Sequence, residues 1–411
     1  MSTQPGSLLA RFFRAPVRRA RRRRGGLGGH RKKLDASKFR RGRVRNFCST
    51  KSTDHGGNGI EFRATRLAPG ANTVNEVFGA TRNPWDLALS VGGSTGGGAA
   101  ALACGMIALA EGTDFGGSLR VPAAFCGVVG LRPTAGLVPR FPVPLQWDVG
   151  SVQGPIGRAA EDAALMLDAM AGDSALSPIS VSPPWQDLVA IVAQTRDLKG
   201  IRIGYAPDIA GVGIDPTIEH VCRSAVCRLA DAAAIVEHLE FSLADGREAY
   251  LALRGETMVG RFFEHLDETD KFGPNLKGNI EAGLKLTTRD VAAAERKRTE
   301  VWNRCRVLFE RIDLLLTPTT PVQPFPVEQN YPEEIAGRKL ATYIDWIAPT
   351  FLVTLCGLPA ASVPCGRTST GLPVGLQIIG PRFAEPQILR VAKLVEDMNP
   401  IGWPPIVRPS A

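Results

Sequence analysis

A chain of 411 residues with 44% hydrophobic and 22% charged residues has the composition of an ordinary soluble globular protein and is too long for one small core. The apolar run from Gly96 to Ala110 holds 15 residues, short of the roughly 20 that span a bilayer, so no membrane span is expected. The net charge of +9 is concentrated at one end. Residues 1–50 hold 13 Arg and 3 Lys against the single acid Asp35, and the other 361 residues hold 39 acids against 33 bases. Any attraction to phosphates or an anionic membrane therefore belongs to the N-terminal arm, and the body carries no specific nucleic-acid signal.

Three readings stay open for the Arg-rich start of residues 1–70, a disordered basic tail, a transit peptide, or misread coding sequence, and residues 38–67 show little periodicity of either kind. The character changes at Gly70. Leu87–Val91 reads as a short strand, Gly98–Leu109 as an Ala-rich helix, 112–118 as a loop and Ala123–Val129 as a further apolar segment. Apolar residues at helical spacing predict helices over Ala159–Met170, Thr217–Ile235 and Arg289–Arg311. Arg202–Tyr205 reads as a strand running into a loop at Pro207. Near the C-terminus Leu314–Leu316, Ala361–Val363 and Leu376–Ile379 are apolar runs bounded by Pro and Gly, as in strands buried on both faces, and Leu389–Met398 reads as a closing helix. Strands and helices interleave throughout, which predicts an α/β layer architecture.

Eight cysteines include no C-x-x-C pair and no zinc-type spacing with histidine, so neither a metal site nor a disulfide framework is expected. Two glycine-flanked serines stand out instead, in GGSTGGGAAA (Ser94) and GTDFGGSLR (Ser118). The first fits the G-x-S-x-G nucleophile elbow, which needs a later acid and then a histidine. The last 146 residues contain no histidine, and His238 and His265 lie in charged segments that suit solvent. A phosphate-binding loop fails as well, since no Gly-Lys-Ser/Thr follows. Taken alone, the first motif would suit a helix start capped by Ser94.

The two motifs at this spacing, with DLLLTPTTP, GLPAASVPCG and LPVGLQIIG near the C-terminus, resemble the amidase signature family from about Ala71 onward. The resemblance implies a large mixed β-sheet flanked by helices over residues 71–411, with an irregular basic segment at 1–70. It further implies a cytoplasmic enzyme that hydrolyses a small-molecule carboxamide through a Ser–Ser–Lys triad and an acyl-enzyme, with no cofactor or metal. A homodimer is compatible with it.

By the same resemblance Ser118 is the nucleophile and the N–H groups of Phe115, Gly116, Gly117 and Ser118 form the oxyanion hole. Ser94, preceded by a cis peptide bond, passes on the Ser118 proton. Thr95 supports the relay, and Asp114 and Arg120 tie down the loop. The family's base is a lysine in an apolar Gly-x-Pro-x-x-x-Lys-Asp segment upstream of the relay serine. Here that distance falls among residues 19–33, RARRRRGGLGGHRKK, where Lys33 is the candidate, without the apolar strand or the following Asp. Two further readings accompany this one: the glutamine-hydrolysing component of a tRNA-dependent amidotransferase, and an inactive relative or basic-tailed binding protein.

Overall fold

In the computed structural model, which describes residues 71–75 and 78–407, Leu314, Leu315 and Leu316 lie in one strand and enter two different cores. Leu314 and Leu316 join one apolar cluster and Leu315 another. Alternation along a strand sends neighbours to opposite faces, so a sheet covered on both sides needs apolar residues at every position.

Eight strands form that sheet: β1 (Leu109–Asp114), β2 (Val129–Arg132), β3 (Val152–Gly157), β4 (Arg202–Tyr205), β5 (Ile235–His238), β6 (Leu314–Pro318), β7 (Ala360–Arg367) and β8 (Pro373–Ile379). Their spatial order is β1-β3-β2-β7-β8-β6-β4-β5. The pairs from β1 to β6 are antiparallel, and β6, β4 and β5 run parallel. This is the mixed sheet that the resemblance implies.

One face is covered by α3 (Ala160–Met170), α4 (Leu188–Ala193), α5 (Pro216–Asp231) and α10 (Glu385–Met398). The other core gathers residues from α6 (Arg247–Arg261), α8 (Thr288–Arg311) and α9 (Ala348–Leu355). Two short helices, α1 (Gly96–Ala103) and α2 (Arg120–Cys126), pack on each other, and α2 lies against β7 and β8. α7 (Pro274–Leu284) packs on α6. Among the described residues no helix is long and apolar enough to cross a membrane.

Several boundaries differ from the sequence reading for local reasons. The Ala-rich helix ends at Ala103, because Gly105 takes a left-handed conformation (φ +67°) and Leu109 then opens β1. Cys126 closes a helix before Val129 opens β2, with Gly127 left-handed between them. Leu87–Val91 makes only isolated bridges at Leu89 and Ser90. Asp86 explains why: its carboxylate and carbonyl accept the N–H groups of Ala88 and Leu89, turning the chain locally. Ile235 leaves its helix because its N–H donates to the Ile201 carbonyl, at the start of β5. The expectations placed on residues 1–70, Lys33 among them, lie outside the described residues.

Candidate active site

The site is a turn between β1 and α2, at the point where a fully buried carboxylate meets two buried guanidiniums. Asp114 closes β1, and its carboxylate receives Arg120 side-on, with Nη2 on Oδ1 at 2.7 Å and Nε on Oδ2 at 2.9 Å. The same oxygens accept the N–H of Gly117 (3.0 Å) and of Leu119 (3.3 Å), the residues on either side of Ser118. Arg132 adds a third contact, its Nη1 donating to the Asp114 carbonyl at 2.7 Å. Burial alone would raise the Asp114 pKa, but Arg120 and Arg132 together pull it below the ordinary carboxylate range. Burial likewise lowers the Arg132 pKa to about 10, and Asp114 opposes that shift.

Arg120 spends all five of its N–H groups. Beyond Asp114 it donates to the Thr350 carbonyl, Gln377 Oε1 and Thr354 Oγ1. α9 and β8 are thereby tied to the turn. Thr350 Oγ1 also lies 2.6 Å from the Gly116 carbonyl and 2.8 Å from that of Ile347, between which it shares its proton. Tyr250 donates to the Phe115 carbonyl at 2.9 Å. The carbonyls of Asp114, Phe115 and Gly116 are thus all held from behind. Gly117 has φ +119°, and a Cβ there would collide with Thr350 Oγ1.

Of the four N–H groups assigned to an oxyanion hole, Gly117's is committed to Asp114. Among the described residues those of Phe115, Gly116 and Ser118 have no protein partner. Three free donors, on a backbone fixed from behind, are what a developing oxyanion requires.

Ser94 stands beside this turn. The Gly93–Ser94 peptide bond is cis, and Thr95 N–H donates to the Ser118 carbonyl at 3.2 Å. The start of α1 takes its cap from neither Ser94 nor Thr95. Thr73 supplies it: Oγ1 accepts the Gly96 N–H at 3.1 Å and donates towards the carbonyls of Gly92 (2.9 Å) and Ser94 (3.3 Å). The Thr95 side chain packs against Gly112 of β1, where a Cβ would collide with it. The fold therefore brings Ser94, Thr95, Asp114, Phe115, Gly116, Gly117, Ser118 and Arg120 together. The hydroxyls of Ser94 and Ser118 are not hydrogen-bonded to each other. Every described lysine is distant in role, being exposed or, like Lys393, paired with acids at the surface.

Phe115 leads from the turn into a cleft of about 380 Å³, lined by Leu145, Trp147, Tyr250, Arg254 and Thr354 among others. Sequence reasoning missed Thr73, Arg132, Tyr250, Arg254, Thr350 and Gln377. Each lies in a stretch whose own pattern is ordinary helix, strand or loop, and only long-range pairing gives it a place here. His238 and His265 are exposed, as the sequence suggested. Among the described residues no group of three or more His, Cys, Asp or Glu could hold a metal.

The family pattern described as Amidase matches residues 64–389. A glutamyl-tRNA(Gln) amidotransferase subunit of Moorella thermoacetica is 35% identical, over 80% of this chain and 71% of that protein. An acylamidase of Rhodococcus erythropolis is 33% identical over 80% of this chain and 69% of its own length. The crystal structure of a bacterial aryl acylamidase superposes with a TM-score of 0.73 at 29% identity, covering 80% of this chain and 70% of that one. With its fold, its two serine turns and these likenesses in agreement, the chain belongs to the amidase signature family.

Proposed function

We propose that the protein hydrolyses the C–N bond of a small carboxamide with Ser118 as nucleophile. The observation that carries this reading is the set of three N–H groups, at Phe115, Gly116 and Ser118, that have no partner among the described residues, on a turn held through Asp114, Thr350 and Tyr250. Ser118 Oγ attacks the amide carbon, the oxygen takes up negative charge, and the three N–H groups receive it. Donors aimed in advance at the oxyanion are worth about 3–4 kcal/mol each in barrier. Collapse expels the amine and leaves an acyl-enzyme, which water then cleaves. Ser94 passes the Ser118 proton on; hydrogen bonds of this kind tighten in the reacting complex. The resemblance makes Lys33 the candidate for the base.

A fluorophosphonate probe tests the assignment, since it reacts with a serine only where nucleophile and oxyanion donors are assembled. Mass spectrometry should place the adduct on Ser118, with labelling lost in Ser118→Ala and strongly slowed in Ser94→Ala. An intact chain that takes up no probe would overturn the reading.

A second reading is favoured by the relatives named as glutamyl-tRNA(Gln) amidotransferase subunits. On it, the chain hydrolyses glutamine for partner proteins. Ammonia release from glutamine only when those partners are supplied would distinguish it from a stand-alone amidase.

A further inference from the structure

Arg254 is 6% exposed and lines the cleft beside the oxyanion turn. Its Nη1 would lie 3.9 Å from a Cβ placed on Gly116. The other buried or half-buried arginines of this region each face a carboxylate: Arg120 and Arg132 face Asp114, Arg140 and Arg261 face Asp148, and Arg247 faces Asp345. Arg254 does not. Among the described residues its partners are all neutral, with Nε donating to Asn279 Oδ1 (2.9 Å), Nη1 to Tyr250 Oη (3.3 Å) and Nη2 to Tyr343 Oη (3.3 Å). A guanidinium stays charged in any protein environment, and a buried cation with no counter-charge is costly to keep.

A guanidinium has five N–H groups, and the described residues engage three of these, which leaves one on each terminal nitrogen. That remaining pair suits the two oxygens of a carboxylate. Tyr343 Oη accepts from Arg254 and from Asn279 Nδ2 at 2.6 Å, so its own proton is also available. The acids of the same cleft do not compete. Asp148 pairs with Arg140 and Arg261, Glu295 pairs with Arg298 at 3.4 Å, and Glu256 is exposed.

We infer that Arg254, aided by Tyr343, binds a carboxylate on the substrate, so that this site selects amides that carry an anionic group. The inference rests on the amide-hydrolase reading above and names the substrate class for it.

The experiment compares glutaramate with pentanamide, which puts a methyl group in place of the carboxylate, on the full-length chain and on Arg254→Met. The wild type should favour glutaramate by about ten- to a hundredfold in kcat/KM, mainly through KM, the span commanded by charge-assisted hydrogen bonds. The Met variant should bring that ratio to about one. Free glutarate should slow fluorophosphonate labelling of Ser118 and raise the melting temperature of the wild type, and neither effect should survive in the variant. A wild type that prefers pentanamide, or a ratio unchanged in the variant, overturns the inference. Should the variant not fold, the wild-type ratio and the glutarate response decide alone. A chain that takes no probe yet is stabilised by glutarate would sink the nucleophile assignment and leave the carboxylate site standing. A labelled chain indifferent to glutarate would do the reverse.

Discussion

Thr95 and Ser118 meet backbone to backbone, the Thr95 N–H donating to the Ser118 carbonyl at 3.2 Å. That carbonyl is open to it because the residue one helical turn on is Pro122, which has no N–H to return. The proline inside α2 thus frees the acceptor that joins the two serine turns. In consequence the position of Ser94 relative to Ser118 is set by main-chain atoms, and side-chain substitutions nearby should act mostly by moving the backbone.

Gly117→Ala should abolish probe labelling while leaving the sheet folded. The positive φ and the closeness of Thr350 Oγ1 leave no room for a methyl group. The turn must shift, and a displacement of about 1 Å at such a site costs about a hundredfold in rate. Circular dichroism and labelling kinetics on the purified variant check both halves of this expectation.

Thr350→Val keeps the volume and removes the donor to the Gly116 carbonyl. Thr350→Ser keeps the donor. Labelling should fall about tenfold or more in the valine variant and stay near wild type in the serine variant, since loss of one hydrogen bond at a buried carbonyl is worth about 1–3 kcal/mol.

Asp114→Asn should be strongly destabilising, by about 3–5 kcal/mol in denaturant titration, because Arg120 and Arg132 would be left buried without their counter-charge. The wild type has a related pH signature. The folded-state pKa of Asp114 lies below the unfolded value of about 3.9, so its stabilising contribution is present above that pH and is lost as pH falls through the lower folded value. Acid unfolding that begins well above pH 4 would contradict this role for Asp114.

Glu396 runs in the opposite sense. Its carboxyl accepts the Ala160 N–H at 2.8 Å, at the start of α3, and burial pushes its pKa up to about 8. Unfolded, it would titrate near 4.3. The folded state therefore holds the proton more tightly, and the contribution is full below about pH 4.3 and lost as pH rises through about 8. Glu396→Gln should flatten the decline in melting temperature between about pH 5 and 8, measured by calorimetry across that range.

Thr73→Val should cost about 1 kcal/mol in denaturant titration through the lost cap on α1. It should also slow labelling of Ser118, since the Gly92 and Ser94 carbonyls lose their common donor. A variant that labels at the wild-type rate would show that Ser94 is positioned without Thr73.

The sequence by itself determined the layered α/β class and the identity of both serine turns. Leu314–Leu316 is apolar at every position, and Ala361–Val363 and Leu376–Ile379 are apolar except at Ser362 and Gln377, a pattern that suits a sheet covered on both faces. The glycines around Ser94 and Ser118 mark where the backbone must do what other residues cannot. Local pattern was also enough for Asp114 and Arg120, six residues apart in one motif. It could not show that Gly117 has its N–H taken by Asp114, or that Gly105 stops the Ala-rich helix short of Leu109, since both depend on backbone direction in space. Thr73, Tyr250, Thr350 and Gln377 were invisible for a different reason. They reach the two turns from 19 to 257 residues away along the chain, through one or a few hydrogen bonds each, and a hydrogen bond leaves no periodicity in sequence. Only the tertiary structure decided which carbonyls are held and, among the described residues, which N–H groups have no partner and that Arg254 is buried with no acid to answer its charge.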